Sequence, residues 1–294
     1  MFLRLDSTQA LASAALLAAG FVGSLYVWRS SLELPRDDPR VIVRRFISIA
    51  CWCAIAPLIV AFWAVDDSVL HSDGRSALVW LGLPSHGLLP ALFLPLLLTA
   101  SLFAGPLFVN WLAAWRDPEG GYARYCLGFS LSPGDSPEQR LITVRNVLVG
   151  PLCEEWCFRS CMCPLLIAGG WSTSATVFGS PLLFGCAHLH HLVEHCKKQG
   201  MSLKQGAARV IFQLAYTTLF GAYAAFVLVR TGHFVSAFLA HAFCNLMGFP
   251  DLSWLSPHHD LAKYKTRTSL VRLWLALAST RAYSVFLLII RVVF

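Results

Sequence analysis

Apolar residues fall in long unbroken runs, not in the alternating or three-to-four spacing of a half-buried soluble element. Most runs come close to the roughly 20 residues that a bilayer-spanning helix requires. They predict about eight helices, near Leu11–Trp28, Phe46–Val65, Leu88–Trp111, Leu141–Leu166, Trp171–His191, Val210–Val229, Phe234–Phe249 and Val271–Phe294. The longest polar linkers are Arg116–Arg140, rich in Pro, Gly and Asp, and His195–Arg209. There is no internal repeat and no low-complexity tract. The pattern predicts an all-α polytopic membrane protein with one domain over residues 1–294, its motif-bearing core at about 141–250. The first run is followed by basic residues and lacks a small-residue cleavage site, so a retained transmembrane helix is expected there.

Composition strengthens this reading. Hydrophobic residues make up 56% and charged residues 13%, against roughly 45–50% and about 25% in soluble domains. Mean hydropathy is +0.61. Disordered, collagen-like and coiled-coil classes are excluded by the same figures. The net charge of +7 points to cytoplasmic loops and anionic headgroups rather than nucleic acid. Most Lys and Arg lie in alternate loops, those after the first, third, fifth and seventh helices. The positive-inside rule puts these loops in the cytoplasm and both termini on the other side, which needs an even helix count. Cys153, Cys157, Cys161 and Cys163 sit at helical spacing in apolar sequence, so helix packing is expected rather than a thiolate metal site.

Ionisable groups inside spanning segments are costly and mark function by default. The fourth helix carries Arg145, Glu154, Glu155 and Arg159; the fifth carries His188, His190 and His191; the seventh carries His233, His241 and Asn245. Glu155 and Arg159 are four apart and share a helix face, a spacing that predicts a structural ion pair. Glu154 points about 100° away and lacks that partner, so it is the better candidate base. Adjacent carboxylates on a helix diverge, which argues against an aspartic-protease dyad. His188, four after Phe184, is a candidate to share a water with Glu154. His241 and Asn245, again four apart, offer an imidazole and an amide suited to a developing oxyanion. The lone Arg281 reads as a packing or headgroup contact.

Three segments, Glu154-Glu155-Trp156-Cys157-Phe158-Arg159, Phe184-Gly185-Cys186-Ala187-His188 and His241-Ala242-Phe243-Cys244-Asn245, resemble the motifs of the type II CAAX prenyl proteases. These are the Ras-converting enzymes, within the intramembrane glutamate proteases related to bacterial immunity proteins. The resemblance extends through Gly23-Ser24-Leu25-Tyr26-Val27-Trp28, Glu33-Leu34-Pro35-Arg36-Asp37 and Phe220-Gly221-Ala222-Tyr223, and stops after Asp251. It implies an endopeptidase of the endoplasmic reticulum membrane, its site facing the cytoplasm. Such an enzyme removes the last three residues from farnesylated or geranylgeranylated CAAX proteins, small GTPases among them. By the resemblance, Glu154 activates water with His188, His241 and Asn245 bind the oxyanion, and Glu155 and Arg159 brace the site. The scheme requires no metal and no cofactor.

Competing constellations are weaker. His191-Leu192-Val193-Glu194-His195 matches the inverted zinc-protease pattern His-x-x-Glu-His, but it runs into Lys197-Lys198 and lacks an evident third ligand. A cysteine protease using Cys157 or Cys244 lacks an activating pair. A non-catalytic membrane scaffold would keep its function with Glu154→Gln.

Overall fold

The computed structural model describes residues 5–64, 77–104, 107 and 136–248. Among them the regular structure is entirely helical. The eighth expected helix, Val271–Phe294, lies outside the described residues, as do most of Arg116–Arg140 and the end of the third expected helix.

Helix α1 (Ser7–Ser24) opens on a capping box: the Asp6 carboxylate accepts from the Gln9 N–H at 2.8 Å while the Gln9 side chain accepts from the Asp6 N–H. A short α2 (Arg29–Glu33) leads to α3 (Pro39–Ala64). Hydropathy alone starts this helix at Phe46, yet it begins at Pro39. Asp38 explains the difference, since its carbonyl accepts the Val41 and Ile42 N–H groups and its carboxylate accepts the Arg40 N–H. Arg40, Arg44 and Arg45 therefore extend the helix beyond its apolar stretch. After α4 (Ala77–Trp80) comes α5 (Leu88–Leu102).

Residues 137–168 form one helical run, α6, with an irregular backbone. It comprises Pro137–Val144, a π segment Arg145–Val149, Gly150–Glu155, a second π segment Trp156–Cys161, and Met162–Ala168. The local cause is Gly150-Pro151. Pro151 has no N–H for the ordinary i→i−4 bond, and the Gly150 N–H reaches Arg145 O instead. A Cβ at Gly150 would stand 2.8 Å from that same carbonyl, so glycine permits the wider turn.

The fifth expected helix is two elements. Helix α7 (Thr173–Ala187) stops with His188 as its C-cap, and α8 (His190–Lys198) follows after one residue. Helix α9 (Leu203–Thr231) begins with a Ser202–Gln205 capping box and ends at Gly232, φ +68°. The expected linker His195–Arg209 is thus mostly helix; its Lys and His residues belong to an amphipathic segment that hydropathy cannot reveal. Helix α10 (Phe234–Met247) completes the described chain.

Among the described residues three helices are long and apolar enough to cross a membrane: Ser7–Ser24, Pro39–Trp63 and Leu203–Thr231, the shortest with 18 residues, or about 27 Å. Helices α5 and α10 are shorter and apolar. Phe62 and Leu219 are 72% and 76% exposed, an arrangement natural against lipid and costly in water. This is an all-α polytopic membrane protein. Polar side chains tie the helices together: Trp63 Nε1 donates to Ser13 Oγ (2.9 Å), Trp156 Nε1 to Cys53 O (2.9 Å) and Ser236 Oγ to Ala91 O (2.7 Å). Phe158 sits between Phe21 and Phe184, its ring centroid 5.1 and 4.8 Å from theirs. Cys157 and Cys163 are buried thiols whose Sγ atoms lie near Leu17 O (3.6 Å) and Phe158 O (3.7 Å), in keeping with a packing role.

Candidate active site

The second π segment begins directly after Glu155 and holds Arg159, yet the expected pair forms: Arg159 Nε lies 3.2 Å from Glu155 Oε2. Both side chains are essentially sealed, at 0% and 1% exposure. Two ions so deep need more than each other. The second oxygen, Glu155 Oε1, is 2.7 Å from His241 Nδ1 on α10. The Arg159 guanidinium sits over the Phe184 ring of α7, Cζ 4.3 Å from its centroid. Space for it depends on α9, where a Cβ on Gly221 would fall 2.9 Å from Arg159 Nη2. Four helices thus converge on one guanidinium–carboxylate–imidazole chain.

Glu154 departs from its neighbour as the spacing predicts. Its side chain is 27% exposed, and its Oε2 lies 3.9 Å from His241 Nε2. That gap is too long for a hydrogen bond but short enough for electrostatic attraction between the two groups. One imidazole therefore bridges the two carboxylates, Nδ1 to the buried one and Nε2 toward the open one. Sequence spacing missed this link, because the partners are 86 positions apart.

Glu154 faces a cavity of about 370 Å³ whose lining includes His188, Asn245, Gln213 and Tyr216. His188 is fixed by an Nδ1 hydrogen bond to Phe184 O at 2.9 Å, which assigns the hydrogen to Nδ1 and leaves Nε2 as an acceptor. Asn245 donates from Nδ2 to Asn146 O at 2.9 Å, and its second amide hydrogen is uncommitted by that bond. His241 meets Glu155 while Asn245, further along α10, meets Asn146, earlier on α6, so the two helices run antiparallel here. His241 itself borders the cavity through Glu154 rather than lining it. Gln213 and Tyr216 had no signal in the sequence beyond polarity inside an apolar helix.

The zinc-type pattern on α8 is spent locally. His191 Nδ1 donates to Glu194 Oε2 at 3.2 Å, and His195 Nδ1 lies 3.0 Å from Gln199 Oε1. The hydrogen bond from His191 holds the Glu194 carboxyl down at about 2, far too acidic for a general base. Burial, with His191 alongside, lowers His190 to about 4. Among the described residues no three His, Cys, Asp or Glu side chains are grouped to hold a metal.

A membrane-embedded helical bundle with a carboxylate, a histidine and an amide at one cavity, and a second histidine behind the carboxylate, fits the class of intramembrane hydrolases. The comparisons specify the family. The model for "Type II CAAX prenyl endopeptidase Rce1-like" matches residues 136–247. The chain is 42% identical over 238 residues to CAAX prenyl protease 2 of Homo sapiens, the overlap covering 80% of this chain and 69% of that one. It is 38% identical to the Rattus norvegicus protein of the same name (80% and 67% covered) and 34% identical to that of Arabidopsis thaliana (83% and 80%). No solved structure matches. The chain belongs to the type II CAAX prenyl endopeptidase family.

Proposed function

We propose that this chain hydrolyses the peptide bond that frees the C-terminal tripeptide of prenylated CAAX proteins, with Glu154 as the general base. The observation that carries this reading is the division of labour between adjacent carboxylates: Glu155 is sealed between Arg159 and His241, while Glu154 opens onto the cavity shared with His188 and Asn245. A water held by Glu154 and the free Nε2 of His188 loses its proton to Glu154 as its oxygen attacks the scissile carbonyl. With Nδ1–H donated to Glu155, an imidazolium at His241 carries a second hydrogen on Nε2. That hydrogen and the Asn245 amide receive the charge developing on the carbonyl oxygen. Glu154 then returns the proton to the departing amine. Glu155 and Arg159 hold His241 in place, much as a buried carboxylate orients histidine in a catalytic triad.

Small GTPases ending in a prenylated cysteine motif are the substrates this reading favours, and the endoplasmic reticulum membrane is its location. Arg36 and Arg45 line this cavity, and Arg36 and Lys197 line a second one that shares Arg36 and His190 with it, a concentration of positive charge that supports a cytoplasmic orientation. The test is incubation of purified protein with a farnesylated CAAX peptide, with and without a zinc chelator. Release of the tripeptide, unaffected by chelation and lost in Glu154→Gln, supports the scheme; chelator-sensitive release opposes it.

A further inference from the structure

Three guanidiniums that the hydrolytic scheme does not use line the same cavity as Glu154, His188 and Asn245. They are Arg36, Arg45 and Arg145. They arrive from separate places: the segment between α2 and α3, α3 itself, and the first π turn of α6. Arg36 is 44% exposed and Arg145 16%, so the group stands at the cavity's rim, where positive charges gathered in a membrane protein still favour an opposite charge. Outside the lining, Asp37 and Glu194 answer them in part. Arg145 Nη1 lies 2.8 Å from Asp37 Oδ1 and donates to Arg36 O at 3.0 Å, while Arg36 Nε is 3.8 Å from the same Asp37 oxygen. One carboxylate, itself 57% exposed and outside the lining, thus answers two arginines. Arg45 donates from Nε to Leu25 O at 3.2 Å and sits over the Tyr26 ring, Cζ 5.4 Å from its centroid, with Glu194 nearby, while its Nη2 is buried without a hydrogen bond. Within the lining, three fixed positive charges face a single carboxylate, Glu154.

We infer that Arg36, Arg45 and Arg145 form the subsite for the free α-carboxylate at the substrate's C-terminus. The inference rests on the endopeptidase reading above and adds what sets the cleavage position. An enzyme that always cuts three residues from the end must hold that end, and three extended residues reach about 10 Å. Guanidinium offers paired N–H donors matched to a carboxylate, which makes it the suitable group to do so. A cavity of about 370 Å³ is near the small end of ligand sites, the size for a short peptide.

The experiment compares a farnesylated CAAX peptide acid with its C-terminal carboxamide. Wild-type protein in zwitterionic nanodiscs is expected to cleave the acid with a kcat/KM roughly 10–100-fold above the amide. Arg145→Gln and Arg36→Gln lower cleavage of the acid and bring the acid-to-amide ratio toward one. Arg36→Gln covers the possibility that Arg145→Gln, which also loses its bonds to Asp37 and Arg36 O, fails to fold. Equal loss on both peptides, or no preference in the wild type, overturns the inference. A second arm adds anionic phospholipid: an arginine effect seen only there assigns the site to a lipid headgroup and overturns it as well. If neither peptide is cleaved, the hydrolytic reading fails on its own, and binding of the free tripeptide decides this one. Thermal protection by the tripeptide acid but not its amide, abolished in Arg36→Gln, supports the subsite; equal protection or none overturns it.

Discussion

Two helical stretches of this chain gather ionisable side chains, Glu154–Arg159 in α6 and His190–Lys198 in α8, and their fates differ. On α8 the His-x-x-Glu-His groups find partners about one turn away: His191 takes Glu194, and His195 faces Gln199. On α6 one carboxylate is locked by Arg159 and by His241 from another helix, which leaves its neighbour free toward a cavity. The local pattern of α8 looks more like a familiar motif, yet its groups satisfy one another. Chemistry requires groups with capacity left over, and that capacity comes from contacts far apart in sequence.

Several substitutions sharpen that contrast. The largest effect beyond Glu154 itself is expected for His188→Ala, which removes the Nε2 acceptor; kcat on a farnesylated peptide should fall about 10²–10⁴-fold, the range for a lost acid–base partner. Next is Asn245→Ala, with kcat reduced on the order of 10²–10³-fold, as for loss of one oxyanion donor, and KM little changed. A raised KM with kcat intact would instead make Asn245 a substrate contact, and a collapsed Tm would make its bond to Asn146 O structural.

Glu155→Gln tests the brace. It leaves Arg159 as an unpaired charge at 1% exposure, a loss of about 3–5 kcal/mol. Lower yield and Tm are expected to accompany the loss of activity, whereas Glu155→Gln with wild-type Tm would contradict the bracing role.

On α8 the expected effects are small and depend on pH. Glu194 titrates at about 2 when folded, below its ordinary 4.5, owing to its hydrogen bond with His191. The unfolded chain therefore binds the proton first, and this contribution, complete above about 4.5, disappears as pH falls toward 2. His190 is lowered by burial from 6.5 to about 4, so acidification between those values also favours the unfolded state. Tm should thus decline modestly as pH drops below 6.5, and Glu194→Gln should flatten only the part below 4.5. A Tm that rises on acidification in these windows would contradict both assignments.

The fold and site were legible to different depths. Long apolar runs located every described spanning helix, because bilayer thickness imposes itself directly on sequence. Their ends were not, since Arg40, Arg44 and Arg45 continue α3 as helix and the charged α8 resembles a linker. The Glu155–Arg159 pair followed from helical spacing, and Glu154 was singled out by being one residue off that face. The His241–Glu155 contact did not follow, because no spacing rule joins positions 86 apart. Nor did the two π segments, although Gly150-Pro151 marks the first of them in retrospect.

The most direct measurement compares kcat and Tm for Glu154→Gln and Glu194→Gln on one farnesylated CAAX peptide at neutral pH. The account predicts that Glu154→Gln keeps a Tm close to wild type while kcat drops at least 10²-fold, and that Glu194→Gln turns over within about twofold of wild type. Near-normal turnover by folded Glu154→Gln, or a dead but folded Glu194→Gln, would contradict it.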